Sequence, residues 1–547
     1  METYRPTPVP LTDAPAANGP NRTGPNRTGV TMIGLALIMM LSVLDQTIVA
    51  TALPSIAADL HGLSDLSWVV NAYLLGLGLA APMYGKLGDM YGRKPLILIA
   101  VAVFVIASMA CGAAGSMSEL IAFRAVQGVG AGGLMNLTTA AVADLVPPSE
   151  RGRVQGYTGA VFALGSIGGP LLGGLLTSTV GWRWVFYINV PAALVGMAIV
   201  IRYFNVPHRR TRQPLDWIGA LLMAAAVTGV LLVTDWGGQK YGWTSPVILA
   251  LALGAAVAIG LFLWREPHAA NPILPATLWR SAVFRVAMPS SFLLGAGLFG
   301  TVVFLPQYFQ VVRGASATMS GALLAPTMVA AVIAGVYSAV KASATGRYRR
   351  YPIAGAVLLI VGFVALTPLG PSTALWLVLG GAVVLGFGVG LQMQLMILIV
   401  QNAVPAADVG VATAAMLLFR SIGGAVGTAL FSTLLLRRFS HELGPVLHGA
   451  AAGQSAGSLY GRLVLGLGAT LGPARGAVVH AFGSAVSIVY VWAVPFGFVL
   501  LALAVLLPSV PLRRDTGGAE GTDAPETAAA SAEDTAAAES VSAVPSA

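Results

Sequence analysis

The sequence predicts an all-α integral membrane protein of fourteen spans, and three observations carry that prediction. Of 547 residues, 56% are hydrophobic and only 9% charged, against roughly 25% charged in soluble domains. A chain of this length cannot cover a water-facing surface with so few charges, so its surface must face lipid. Apolar runs of about 20 residues, the length that crosses a bilayer as helix, recur along the chain. Lys and Arg gather in alternate segments between these runs, as they do in cytoplasmic loops. The 66 glycines fit the same solvent, because small residues let helix backbones approach closely in lipid.

The elements follow in order. Residues 1–29 are rich in Pro, Asn and Gly, repeat Gly-Pro-Asn-Arg-Thr at 19–23 and 24–28, and read as a disordered arm. The Asn-Arg-Thr triplets match glycosylation acceptors, but the arm is expected on the cytoplasmic side. Apolar runs then fall at 31–53, 67–85, 95–115, 119–141, 154–177, 184–203, 215–235, 245–264, 286–310, 319–340, 352–368, 374–400, 411–436 and 487–508. The first is no cleaved signal peptide: it is too long, too far from the N-terminus, and contains Asp45. The segment at about 437–486 reads as a long extracytoplasmic loop, with apolar stretches at 457–471 and 476–486 that suit a re-entrant or interfacial segment. Residues 511–547, rich in Ala, Glu, Ser and Thr, read as a disordered cytoplasmic tail.

Orientation follows from the basic residues. With the N-terminus inside, 21 of the 30 Lys and Arg lie in inside segments, seven lie outside, and Arg124 and Arg420 lie within spans. This bias predicts an even number of spans and two cytoplasmic ends. It also gives the net charge of +9 a topological reading, so nucleic acid is not expected as a partner. The one cysteine, Cys111, rules out a disulfide within the chain, and no Cys cluster suggests a metal. There is no Walker loop, G-x-S-x-G elbow or H-E-x-x-H, and the six His are scattered. An enzyme, a signalling scaffold and an ATP-driven pump are all disfavoured, and neither cofactor nor metal is expected.

Four motifs carry the functional reading. Between runs 2 and 3 stands Gly85-Lys86-Leu87-Gly88-Asp89-Met90-Tyr91-Gly92-Arg93-Lys94. Its glycines permit a tight turn, Asp89 is able to bond a helix N-terminus or an arginine, and Arg93 and Lys94 are able to hold the cytoplasmic face. Run 4 contains Arg124-Ala125-Val126-Gln127-Gly128-Val129-Gly130, and an arginine inside a membrane helix must face a partner or a wet cavity. Run 1 contains Leu44-Asp45-Gln46-Thr47, and Asp45 is the one carboxylate well inside any run. Run 5 carries Gly165-Ser166-Ile167-Gly168-Gly169-Pro170-Leu171-Leu172-Gly173-Gly174, whose small-residue spacing predicts close helix packing and whose proline breaks one backbone bond.

Geometry links two of them. Asp45 lies roughly 21 Å along span 1 at about 1.5 Å per residue, near 9 Å from the outer face of a layer of about 30 Å. Arg124 lies roughly 9 Å below the outer start of span 4. At equal depth the two charges are able to couple. Burial favours the neutral form of a carboxyl group and a nearby cation the charged form, so a carboxyl placed like this suits loading and releasing a proton.

These motifs resemble those of the major facilitator superfamily, and in particular its fourteen-span branch of drug:proton antiporters. The 85–94 segment resembles that family's cytoplasmic latch (Gly85, Asp89, Gly92, Arg93 and Lys94). The Arg124 motif is similar to that of its proton-coupled members, which together with Asp45 implies a proton-coupling pair. The run-5 sequence (Gly165, Gly169, Pro170, Gly173, Gly174) resembles its antiporter motif. Trp182–Pro191, Asp216–Gly219 and Arg420–Gly427 are further matches. The resemblance implies two six-helix bundles, at 30–205 and 271–510, with two extra central helices at 206–270, working by alternating access. It implies a multi-pass protein of a bacterial cytoplasmic membrane that exchanges a small hydrophobic substrate for protons, with a monomer as the expected functional unit. The loop at 341–350, basic but without an acid, predicts a degenerate latch in the second half. Candidates for the substrate cavity are Gln127, Asn136, Gln307, Tyr308, Gln392 and Gln394, each a polar group that faces the cavity or bonds a neighbouring helix. An apolar cavity with one carboxylate suits a neutral or monocationic compound. Export of an endogenous metabolite, lipid or siderophore stays open beside drug export.

Overall fold

The computed structural model describes residues 25–60, 66–146, 148–206, 216–237, 241–269, 272–405, 408–447, 459–460, 463 and 475–508. The tail at 511–547 and most of the arm at 1–29 lie outside them. Among the described residues the chain is helical, with one isolated bridge between Gly237 and Tyr241. The helices are α1 (Pro25–Leu60), α2 (Leu66–Tyr91), α3 (Arg93–Ala113), α4 (Met117–Leu145), α5 (Pro148–Thr179), the short α6 (Trp184–Tyr187) and α7 (Asn189–Tyr203). There follow α8 (Trp217–Trp236), α9 (Pro246–Arg265), the short α10 (Ala276–Arg280), α11 (Ala282–Val311), α12 (Ala317–Thr345), α13 (Arg350–Leu366), α14 (Leu375–Ala403), α15 (Val409–Leu447) and α16 (Arg475–Leu506).

Each predicted run falls on helix. Among the described residues, ten helical stretches are long and apolar enough to cross a membrane, and α13 is a shorter apolar helix. The runs in α2, α4 and α5 fall outside that set for a physical reason. They carry glycines, hydroxyls and charges, and they pack mainly against protein: α4 against α2 and α3, α5 between α1 and α12. A helix shielded from lipid by other helices need not be uniformly apolar.

Helix ends follow the local sequence. Ser116 accepts the Glu119 N–H at 3.3 Å, and Glu119 in turn accepts the Gly115 N–H at 2.9 Å, capping α4 from both sides. Ser245 caps α9 just ahead of Pro246, and Ser316 caps α12. The turn between α2 and α3 needs Gly92, whose φ of 91° suits glycine alone. Prolines inside α2, α11, α12 and α16 are tolerated because neighbouring helices re-satisfy the freed backbone.

Packing repeats between the two parts of the chain. The pairs α2–α4, α3–α4 and α1–α5 recur as α12–α14, α13–α14 and α11–α15. Glycine sets the approach in both: a Cβ on Gly128 would overlap the Tyr73 carbonyl of α2, and one on Gly386 would overlap that of Thr327 on α12. Between these bundles lie α8 and α9, which pack on each other, with α8 reaching α2 and α15. Arg265 at the end of α9 bonds Asp216, the N-cap of α8, at 3.2 Å.

The segment at 437–486, expected as a loop, is helical at both ends: α15 runs on to Leu447 and α16 begins at Arg475. Leu435, Phe439 and Leu443, four residues apart, are fully buried, and Arg438 pairs with Glu442 at 2.7 Å. This one-sided burial and i,i+4 pairing extend the helix beyond the uniformly apolar run. The stretch 476–486, expected as re-entrant or interfacial, is the opening of α16. Of the stretch 457–471, the described residues Leu459, Tyr460 and Leu463 pack into the core that contains Phe439 and Phe482.

Candidate functional site

Asp45 lies in α1 with no exposed surface; α4 and α7 bring polar groups to it, and α3 supports them from behind. From α4, Arg124 places Nη1 2.5 Å from Asp45 Oδ2, and Gln127 donates Nε2 to Oδ1 at 2.9 Å. From α7, Asn189 donates Nδ2 to the same Oδ1 at 2.9 Å. From α3, the Ser108 hydroxyl accepts from Gln127 at 3.0 Å and from Asn189 at 3.1 Å, and donates to the Phe186 carbonyl at 2.8 Å.

The arginine is held as closely as the acid. Its Nε donates to the Val69 carbonyl of α2 at 3.0 Å, and Nη1 also reaches Gln127 Oε1 at 2.8 Å. Its guanidinium lies 4.2 Å from the centre of the Tyr73 ring, whose hydroxyl donates to the Ser42 carbonyl at 2.9 Å. A buried ion pair persists only when geometry is good and its remaining lone pairs and protons are bonded; here both oxygens of Asp45 are met.

Two local features build this site. Gly128 lets α4 press on the Tyr73 backbone, which brings Arg124 and Gln127, one turn apart, within reach of α1. The α6–α7 break comes from Pro191, which has no N–H to return to the Tyr187 carbonyl. Ile188 keeps helical dihedrals, so only the hydrogen-bond ladder is interrupted there, and Asn189 and the Phe186 carbonyl both lie against Ser108.

A second cluster surrounds Asp89. Arg93 bonds it at 3.3 Å and bonds Asp144 of α4 at 2.6 Å. The other oxygen of Asp89 accepts the Val411 N–H in the first turn of α15 at 3.2 Å, a position that favours an anion. A Cβ on Gly85 would lie 2.9 Å from the Gly410 carbonyl, so the end of α2 lies directly on the start of α15. Burial pushes the Asp89 carboxyl up to about 7, against the opposing pull of Arg93 and the Val411 N–H. Lys94 turns instead to the end of α7, donating to the Ile201 carbonyl at 2.9 Å.

Three of the run-5 glycines face α1. Gly165 lies against Val43, Gly169 against Thr47, and Gly173 against Thr51 and Ile48, while Gly174 faces open space. Thr47 donates to the Gly165 carbonyl at 3.1 Å, tying the two helices. Pro170 lies within α5.

The six polar residues picked for the cavity go to different places. Gln127 belongs to the Asp45 network. Asn136 donates to the Ala81 carbonyl of α2 at 3.0 Å. Gln307 accepts the Tyr460 hydroxyl at 3.0 Å, and Tyr308 donates to the Gly370 carbonyl at 3.0 Å. Gln392 is fully buried against Gly355 of α13, and neither amide atom has a hydrogen-bond partner among the described residues. Gln394 lies between Gly159 of α5 and Gly335 of α12, where the two bundles meet.

Sequence reasoning missed Ser108, Tyr73 and Asn189 as members of the site. Ser and Tyr in apolar helices look ordinary. Asn189 carried a signal, because an amide within an apolar run must find a partner. Among the described residues no group of three or more His, Cys, Asp or Glu is arranged to hold a metal.

Comparisons with known proteins agree with this architecture. The family described as Major Facilitator Superfamily matches residues 35–222 and 217–428. An uncharacterised transporter of that type from Mycobacterium tuberculosis is 39% identical over 477 residues, covering 87% of this chain and 68% of that protein. Multidrug resistance protein 3 of Bacillus subtilis is 34% identical over 424 residues, covering 77% of this chain and 82% of that protein. In fold, the chain is similar to the proton:xylose symporter XylE, with a TM-score of 0.58 at 15% identity over 89% of this chain and 98% of that one.

Proposed function

Because this chain belongs to the major facilitator superfamily, and so is a membrane transporter and not an enzyme, we propose that it exports hydrophobic drugs or antibiotics in exchange for protons. The site would be the cytoplasmic membrane of a bacterium, crossed fourteen times with both ends inside. The observation that carries the reading is the bonded set of Asp45, Arg124, Gln127 and Asn189. It is a buried acid whose charge is balanced by one arginine and whose oxygens are met by neutral donors. Such a group holds its charge without a permanent second cation, and a proton is able to replace the arginine's share of the balance. Similarity to proteins named for multidrug resistance and multidrug transport supports the drug part of the reading.

The cycle runs as follows. With the cavity open inward, substrate enters and Asp45 gives its proton to the cytoplasm. The bundles then rock, and the Asp89 contact with the α15 N-terminus closes the cytoplasmic side as a latch, with Gly85 allowing the close approach. Outside, a proton returns to Asp45 and substrate leaves. The glycines facing α1 from α5 let those helices move as one body.

Everted membrane vesicles, energised to an acidic interior and followed with a pH-sensitive dye, test this. A panel of antibiotics and dyes should include a compound that dissipates the gradient with wild type. The same compound should leave it unchanged with Asp45→Asn. Full proton-linked transport by Asp45→Asn would overturn the role given to Asp45. Silence across the panel with wild type would favour a narrow endogenous substrate.

A further inference from the structure

The membrane interior holds a second arginine with no counterpart to Asp45. Arg420 lies eleven residues into α15 from Val409, about 16 Å along the helix at about 1.5 Å per residue. That is near the middle of a hydrocarbon layer of about 30 Å. It is half-buried, and among the described residues no hydrogen bond, ion pair or ring contact reaches its guanidinium. The one carboxylate of α11 to α16 is Glu442, already paired with Arg438 and about 33 Å further along the helix. Asp89 meets α15 at Val411, about 13 Å nearer its start.

A comparison between the halves sharpens the point. Gly165-Ser166-Ile167-Gly168-Gly169 of α5 returns in α15 as Arg420-Ser421-Ile422-Gly423-Gly424. In α5 the first position is a glycine lying against Val43 of α1. In α15 the same position carries a cation, and α11 makes room for its backbone with Gly295. Close packing needs no arginine there. A guanidinium does not lose its proton in proteins, so it cannot shed its charge as a buried lysine does. An unpaired charge at this depth is expensive and marks a ligand or ion path. α15 lies at the seam between the bundles: it packs on α2 and α4 of the first bundle as well as on α11 and α14 of its own.

We propose that Arg420 is an anion-binding residue of the transport path, receiving the carboxylate or sulfonate of an amphipathic substrate whose apolar body lies among the surrounding apolar side chains. The inference rests on the exporter reading and departs from its expectation of neutral or monocationic cargo. The depth of Arg420 favours a substrate over a lipid headgroup.

The test uses the full chain in phosphatidylcholine nanodiscs and a matched pair of probes, 1-pyrenebutyrate and its methyl ester, read by energy transfer from tryptophan against empty discs. Wild type should bind the carboxylate about tenfold or more tightly than the ester, the scale of one charge-assisted hydrogen bond. Arg420→Gln should bind the two alike, and Arg420→Lys should keep part of the preference. No preference in wild type, or an undiminished one in Arg420→Gln, overturns the proposal. So does loss of the preference on adding phosphatidylglycerol, which would make a headgroup the occupant. Vesicle transport separates the two readings. If the carboxylate binds through Arg420 and nothing is exported, the anion site stands and the exporter reading falls. If ethidium is exported and the carboxylate preference is absent, the reverse holds.

Discussion

Asp45 and Arg124 were legible as residues because each is a charge in an apolar run, and lipid leaves such a charge few options. Their equal depth followed from helix rise alone, and the structure brings them to 2.5 Å. What surrounds them was not legible. Ser108 and Asn189 come from α3 and α7, and nothing in a linear pattern says that those helices face α1 at that level. Breaking one side of a buried pair leaves the other uncompensated, at a cost of about 3–5 kcal/mol. Arg124→Leu is therefore expected to lower thermal stability in detergent markedly. The double variant Asp45→Asn/Arg124→Gln should recover most of that loss yet lack proton-linked export. A stable Arg124→Leu protein would show that the pair contributes little to the fold.

At the scale of elements, the contact between α2 and α15 turns on one carboxylate. Asp89 is raised towards 7 where it is buried and has an ordinary value near 4 where it meets water. The closed contact thus binds a proton more tightly than the open one. By linkage, the closed form gains on the open one as pH falls from about 7 towards 4, and this advantage is lost as pH rises through 7. Spin labels on the ends of α2 and α15 that meet at Gly85 and Gly410 should report a growing short-distance population as pH falls from 7.5 to 6. Asp89→Asn should abolish the pH dependence; an unchanged slope in that variant would place the titrating group elsewhere. The motif itself was readable in sequence as a turn with an acid and two basic residues. Its partner was not, because the Val411 N–H is a backbone group and leaves no mark in a sequence. Helix ends were misplaced where one-sided burial took over from uniform hydropathy, as in α15 beyond residue 436 and in α16 before 487.

For the whole molecule, the pairing of α2–α4 and α1–α5 with α12–α14 and α11–α15 makes the two bundles structural repeats, with α8 and α9 between them. The proposed fourteen crossings with an inside N-terminus would place the turn at Gly314 outside and the turn at Gly346 inside. In a Cys111→Ala background, a cysteine at Gly314 should react with an impermeant maleimide in intact cells. A cysteine at Gly346 should react only after permeabilisation. The reverse pattern would invert the topology.

The sequence by itself determined the solvent, the helices, the family and which charges fall within the apolar runs. Each of these follows from local quantities: hydropathy over a window of residues, the cost of a charge in lipid, and a motif spelled out in consecutive letters. Only the tertiary structure decided which groups complete the Asp45 site, that Asp89 meets the N-terminus of α15, and that Arg420 finds no acid among the described residues. These are facts about which helix faces which, set by glycines that determine how closely backbones approach and by prolines such as Pro191 that interrupt a helix's bonding. No single segment contains that information.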